Sequence, residues 1–191
     1  MAVHLGTTDA ANELLRRDPL ALLLGMLLDQ QIPMEKAFTS PRVLADRFGV
    51  DTLDATQIAD HDPEAFVAVF REPPALHRFP GAMADRTQAM CRAVVEQYQG
   101  DASRVWSDAP TGAELVRRIG ALPGFGDQKA RIFAALLGKQ FGVRPRGWRA
   151  ASGDYGKASG YRSIADVVDD ASRLKVRAHK KQAKAAAKAS A

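Results

Sequence analysis

The stretch LPGFGDQKA, residues 122–130, decides the reading of the fold. Leu122-Pro123 closes one apolar pattern, two glycines follow with a single residue between them, and the next apolar pattern resumes at Ala130. Gly124 and Gly126 allow positive φ and close approach of another backbone, as a tight turn between two helices requires. Upstream, TGAE at 111–114 reads as a capping box, in which the Thr111 hydroxyl takes the Glu114 amide and the Glu114 side chain reaches back. Leu115, Ile119 and Leu122 are the apolar positions of the helix it opens, and Ile132, Phe133, Leu136 and Leu137 those of the helix running to about Lys139. The pattern predicts a helical hairpin over 113–139. The amides of residues 124, 126 and 128 would then point out of a helix N-terminus, where a phosphate fits. A plain turn between packed helices is the other reading.

Working outward, almost everything reads as helix. Asp18-Pro19 supplies an N-cap followed by proline at the first helical position. PLALLLGMLL (19–28) is apolar on nearly all sides, so it belongs in the centre, and its ten residues are too few to span a bilayer. Pro33 and Ser40-Pro41 predict two short helices, the second ending at Gly49, and Asp62-Pro63 repeats the start signal. REPPALHRFPG (71–81) is a proline-rich connector, and Met83, Met90, Val94 and Tyr98 form a core stripe on the helix after it. Residues 143–162 read as a glycine-rich loop. A last helix, capped around Asp169 or Asp170, has an alanine-rich end expected to fray. No β-alternation of useful length appears, so the fold class is all-α.

The chain has 191 residues, enough for one domain with a real core. Its one cysteine, Cys91, excludes an intramolecular disulfide and any four-cysteine zinc or iron–sulfur site, and reads as a small core residue. The net charge of +5 is uneven: seven of the 27 Lys and Arg residues lie between Arg173 and Ala191, with no acid among them. The remaining 20 stand against 22 acidic residues, so residues 1–172 sum to −2. The segment 173–191 therefore reads as a basic, partly disordered tail, either for a polyanion, nucleic acid first, or for solubility alone. The N-terminus shows no secretion signal, and the expected location is cytoplasmic and nucleoid-associated.

LPGFGDQKARIFAALLGKQFG (122–142) resembles the hairpin of the HhH-GPD superfamily of base-excision DNA glycosylases, which includes endonuclease III and the adenine, 8-oxoguanine and alkyladenine glycosylases. DPLALLLGMLLDQQIPMEKAFTSPRVLADRFG (18–49) is similar to their early core helix and the glutamine-bearing turn that enters the duplex. GAMADRTQAMCRAVVEQYQGD (81–101) is similar to the helix preceding the hairpin. The three segments cover most of residues 18–142 in order. The resemblance implies a two-lobed, all-α glycosylase domain over residues 1–172, with a cleft between the lobes. It also implies flipping of a damaged or mispaired base out of double-stranded DNA, because the glycosidic bond is out of reach inside a stacked duplex. Carried over by position, the amides of Gly124, Gly126 and Gln128 hold a phosphate, with Lys129 beside them on the DNA-binding turn. The carbonyls of Gly120, Leu122 and Phe125 bind a monovalent cation, and Gln31, or its neighbour Gln30, fills the gap left by the flipped base. Polar residues simply ending a helix are the alternative for Gln30 and Gln31. A monomer is expected.

Two departures qualify that picture. Bifunctional members carry a lysine two residues after the second glycine, where this chain has Gln128. A carboxamide is no nucleophile, so the expectation is a monofunctional N-glycosylase and not a Schiff-base lyase. Lys129 lies one residue on, about 100° round the helix, and should face elsewhere. The family's aspartate, which flanks the cationic sugar, falls by count on Arg146, Gly147 and Trp148. Asp166 in SIADV is the first substitute, with Asp154, Asp169 and Asp170 weaker; all four read equally well as N-caps. His77, Arg78 and Phe79 either line the cleft or belong to a packed loop, and Trp148 either stacks on a base or anchors its loop. No cofactor is expected beyond the cation, and one cysteine rules out the family's iron–sulfur cluster. Two other functions remain open: a protein of this fold that binds distorted or abasic DNA without catalysis, and a nucleic-acid adaptor driven by the tail.

Overall fold

The computed structural model describes residues 3–189, and no strand occurs among them. The helices are α1 (Asp9–Arg17), α2 (Pro19–Leu28), α3 (Met34–Phe48), α4 (Ala55–Asp60), α5 (Pro63–Arg71), α6 (Pro80–Tyr98), α7 (Gly112–Gly120), α8 (Asp127–Gln140), α9 (Trp148–Ala151) and α10 (Asp170–Ala189). Short 3-10 turns lie at Ala102–Val105, Gly153–Gly156 and Ile164–Asp166. Helices α1, α2 and α3 pack on one another, α4 and α5 pack on α6, and α7, α9 and the last two 3-10 turns gather on α8.

The start signals hold where a carboxylate precedes a proline. Asp18 caps α2 through Leu20 N (2.9 Å) and Ala21 N (3.0 Å), while its other oxygen takes Leu53 N at 2.7 Å. One buried side chain thus fixes the helix start and a distant loop. Every residue from Leu20 to Leu28 is buried, as an all-round apolar helix requires. Asp62 caps α5 in the same way.

Two expectations need correction. Ser40-Pro41 does not begin a helix, because α3 runs through both residues. Proline removes one backbone donor there. The Ser40 hydroxyl sits between Lys36 O (2.8 Å) and Leu76 O (2.9 Å), and Phe38, Pro41 and Leu44 are buried, so packing carries the helix across. The boundary drawn at residue 173 is also misplaced. Val176 is fully buried in the core, and Arg173 Nη2 donates to His4 O at 2.7 Å. Residues 173–177 belong to the packed body, and α10 continues to Ala189. The side chains of Lys184 and Lys188, two of the seven tail cations, lie outside the described residues. Cys91 is buried in α6, and burial pushes its thiol up to about 12.

Candidate nucleic-acid interface

The hairpin forms where the sequence puts it. Thr111 caps α7 by accepting the Glu114 amide at 3.2 Å. The return half of the capping box is replaced: the Glu114 carboxylate bonds Arg117 (2.7 Å) and Arg118 (3.0 Å), and these two guanidiniums hold its pKa down at about 2. Phe125 N donates to Leu122 O at 3.1 Å, closing the turn and leaving that carbonyl one lone pair. Gly124 has φ 85°, and a Cβ there would collide with Leu27 Cδ1, so only glycine lets the turn press against the end of α2. Gly126 caps α8 without any side-chain acceptor. The acid in the first turn, Asp127, is paired with Arg131 at 2.8 Å.

The two residues after Asp127 diverge. Gln128 is exposed, and its Nε2 donates to the Tyr155 hydroxyl at 2.9 Å, tying the hairpin to the 3-10 turn Gly153–Gly156. Lys129, a step further round, turns back to α2: its Nζ donates to Leu27 O at 2.8 Å and lies 5.7 Å from the Phe125 ring centre. Burial brings its pKa down to about 8, with the charge of Asp29 opposing that shift and Arg86 reinforcing it.

Several elements converge at the C-terminal end of α2. Gln30 is engaged on every side: its Nε2 donates to Leu27 O (2.9 Å), its Oε1 accepts from Arg86 (3.1 Å) and its carbonyl accepts from His77 Nε2 (2.9 Å). Gln31 is exposed and holds φ 56°, in the left-handed region. Of the two glutamines, Gln31 is the exposed one. Phe79 N donates to His77 Nδ1 at 3.1 Å, so the ring carries its proton on Nε2 and is neutral. His77 is buried, and burial pulls its pKa down. This histidine bolts the connector to the turn, while Phe79 stays 44% exposed with the Arg78 guanidinium 4.8 Å from its ring centre.

Asp29 is the residue the sequence reading missed. Its side chain is only 12% exposed, and Lys180 Nζ from α10 approaches to 3.8 Å. Burial raises its pKa, while Lys180 and Lys129 pull the other way. A signal existed: a carboxylate directly after an apolar helix faces the negative end of the helix dipole, so the fold must bring cations to it. Nothing local in sequence shows that these come from Lys129 and Lys180.

The four proposed catalytic carboxylates are committed elsewhere, and their assignment is corrected accordingly. Asp166 closes a capping box on the turn Ile164–Asp166: Oδ2 accepts from Arg162 N (2.9 Å) and Ser163 N (3.3 Å), and Oδ1 accepts from Lys139 Nζ (2.6 Å). Its side chain is 8% exposed and filled with partners. Asp169 accepts Ser172 N at 2.7 Å at the start of α10. Asp154 pairs with Lys157 and Asp170 with Arg173, and both carboxylates are exposed. Ser163 to Asp166 has the serine-to-acid spacing of a cap, and the cap is what forms. Trp148 is buried with its ring flat on Gly138, where a Cβ would collide with it, so it anchors its loop. Among the described residues no group of three His, Cys, Asp or Glu is placed to hold a metal ion.

No family model, no curated protein and no solved structure matches this chain.

Proposed function

We propose that this chain is a DNA-binding protein of the helix-hairpin-helix base-excision type that recognises distorted, mispaired or abasic duplex DNA. The bond from Lys129 Nζ to Leu27 O carries the reading. It joins α8, whose N-terminus has no side-chain cap, to the end of α2, where Gln31 is exposed. A phosphate would rest on the amides of Gly126 and Gln128, with the Gly124 turn allowing close approach. Gln31 would enter the gap beside a displaced or missing base, with Phe79 and Arg78 next to it. The carbonyls of Gly120, Leu122 and Phe125 would suit a monovalent cation bridging to that phosphate. Cations of α10 would add contacts with the DNA backbone.

Fluorescence anisotropy with short duplexes tests this reading. A duplex with an abasic site or mismatch should bind about tenfold or more tighter than its intact counterpart, a difference of about 1.4 kcal/mol. Equal affinity for both would refute it. No base release is expected through Asp166.

One observation favours a second reading, an N-glycosylase. Asp29 is a buried carboxylate beside the hairpin, and its raised pKa suits a general acid. Free-base release from damaged duplex that disappears in Asp29→Asn would replace the binding reading with this one.

A further inference from the structure

A cavity of about 720 Å³ opens between α3, α10 and residues 74–76, in the size range of small-molecule sites. Its walls are largely apolar, with Pro33, Val43, Pro74, Leu76 and Leu174 among them. Glu35 also lines it, with a side chain only 8% exposed. Neither Glu35 oxygen accepts a well-directed hydrogen bond, and Arg173 Nε, 3.9 Å from Oε1, has no acceptor. Glu35 Oε2 and Arg173 Nε are therefore buried on one cavity wall without a partner, and Oε1 has only a poorly directed ion pair with Arg177, a costly arrangement unless a ligand completes it.

The chemistry of the three atoms defines the ligand. A carboxylate whose two oxygens both lack a well-directed donor can pair with two adjacent N–H donors once Arg177 has moved off Oε1, and the neighbouring Arg173 Nε adds one donor for an acceptor beside them. Arg173 is held in place by His4 O (2.7 Å) and Asp170 (3.1 Å), so its donor is fixed before a ligand arrives. A flat molecule bearing two N–H donors and a carbonyl along one edge satisfies all three, and guanine has that edge. The prolines and leucines would cover its faces. Arg177 Nη2 lies 2.6 Å from Glu35 Oε1 in a poorly directed contact, and its side chain is 56% exposed. A ligand on the Glu35 carboxylate would have to displace Arg177, whose exposed side chain has room to move.

We infer that the cavity between α3 and α10 binds a guanine base, with Glu35 taking its two N–H donors and Arg173 its carbonyl. The base comes either from a free guanine nucleoside or from a displaced nucleotide of a strand. The site does not depend on the hairpin reading, since free guanosine can be tested without DNA.

Isothermal titration of the full chain with guanosine, inosine and adenosine is the test. Guanosine should bind at submillimolar concentration. Inosine, which lacks the 2-amino donor, should bind about tenfold or more weakly, because a site built to hydrogen-bond a donor rejects the analogue without it. Adenosine should not bind. Glu35→Gln should abolish guanosine binding, since its amide offers one acceptor only. Leu174→Trp changes a residue 64% exposed and should block the cavity without moving the melting temperature, which guards against misfolding in the first variant. Competition of guanosine by a duplex with an unpaired guanine identifies the strand as the source, and lack of competition identifies the free nucleoside. No heat at millimolar guanosine, equal binding of inosine, or full retention in Glu35→Gln in a folded protein would overturn the inference.

Discussion

Replacing Asp166 by asparagine separates a structural carboxylate from a catalytic one. Its Oδ1 meets Lys139 Nζ at 2.6 Å, with side chains 8% and 16% exposed respectively. Removing one partner of a buried pair leaves the other charge uncompensated, at a cost of about 3–5 kcal/mol. Asparagine keeps one oxygen for the Arg162 and Ser163 amides, so the lower end applies, about 3 kcal/mol. For a chain of this size each kcal/mol moves the midpoint by about 2–4 °C, so Asp166→Asn should melt about 6–12 °C lower. Adding Lys139→Met removes the stranded ammonium and keeps the cap. The double variant should then recover to within about 1 kcal/mol of the wild type, because an uncharged, well-packed replacement of a buried pair is often neutral. Differential scanning calorimetry and urea denaturation of the three proteins read this directly, with DNA affinity followed in parallel. A midpoint unchanged within about 2 °C in Asp166→Asn, together with loss of a base-release activity present in the wild type, would refute the structural role.

Three further outcomes are expected. His77 fits its place only as the neutral ring and burial lowers its pKa, so its contribution to stability is full above the unfolded value of about 6.5 and declines as pH falls below it. The melting temperature should drop between pH 8 and pH 5 more steeply in the wild type than in His77→Gln; parallel curves would refute this. Gln31 holds φ 56°, so Gln31→Gly should stabilise the fold by about 1 kcal/mol while reducing the preference for abasic DNA, and a stabilised variant with that preference intact would remove Gln31 from the interface. Truncation after Arg177 keeps the buried Val176 and removes Lys180, Lys181, Lys184 and Lys188. It should flatten the log–log salt dependence of DNA binding by about 0.9 for each phosphate that these lysines neutralise, and an unchanged slope would place them off the DNA.

The hairpin is legible in the sequence because its determinants are local. Thr111 and Glu114 mark a start, Gly124 and Gly126 mark a turn, and the apolar positions on either side repeat at helical spacing. The all-helical class follows from the same short-range signals. The break expected at Pro41 fails because burial of Phe38 and Leu44 outweighs one missing donor, a tertiary effect. The boundary at 173 fails because charge composition hides a single buried residue, Val176, among cations. The carboxylates are hard to assign for a related reason: Ser163 to Asp166 reads as a cap in sequence, and only the position of Lys139, on another helix, shows how completely that acid is used. For Asp29, local reading shows a carboxylate at a helix C-terminus but not its partners, because Lys129 and Lys180 reach it from different parts of the chain.

The proposed DNA-binding role meets an electrostatic objection at the turn 29–31. A helix C-terminus carries about half a negative charge, and α2 adds the carboxylate of Asp29 at that end. Left alone, this combination would repel a phosphate backbone. The surrounding groups answer it: Lys129 donates to Leu27 O, Arg86 to the Gln30 side chain, and Lys180 approaches Asp29 to 3.8 Å. These cations reduce the repulsion between the turn and a phosphate backbone without cancelling it. Asp29→Asn tests the balance through two independent readouts. Loss of the carboxylate should push the Lys129 pKa below about 8, because Asp29 is the charge that holds its ammonium. NMR titration of reductively methylated lysines measures that shift. The same substitution should tighten DNA binding about two- to threefold, the effect of removing one like charge about 8 Å from a phosphate in water, about 0.5 kcal/mol. A Lys129 pKa that rises instead would mean that the two groups do not interact. Unchanged or weaker DNA binding beside the expected Lys129 shift would mean that the turn does not approach the phosphate backbone.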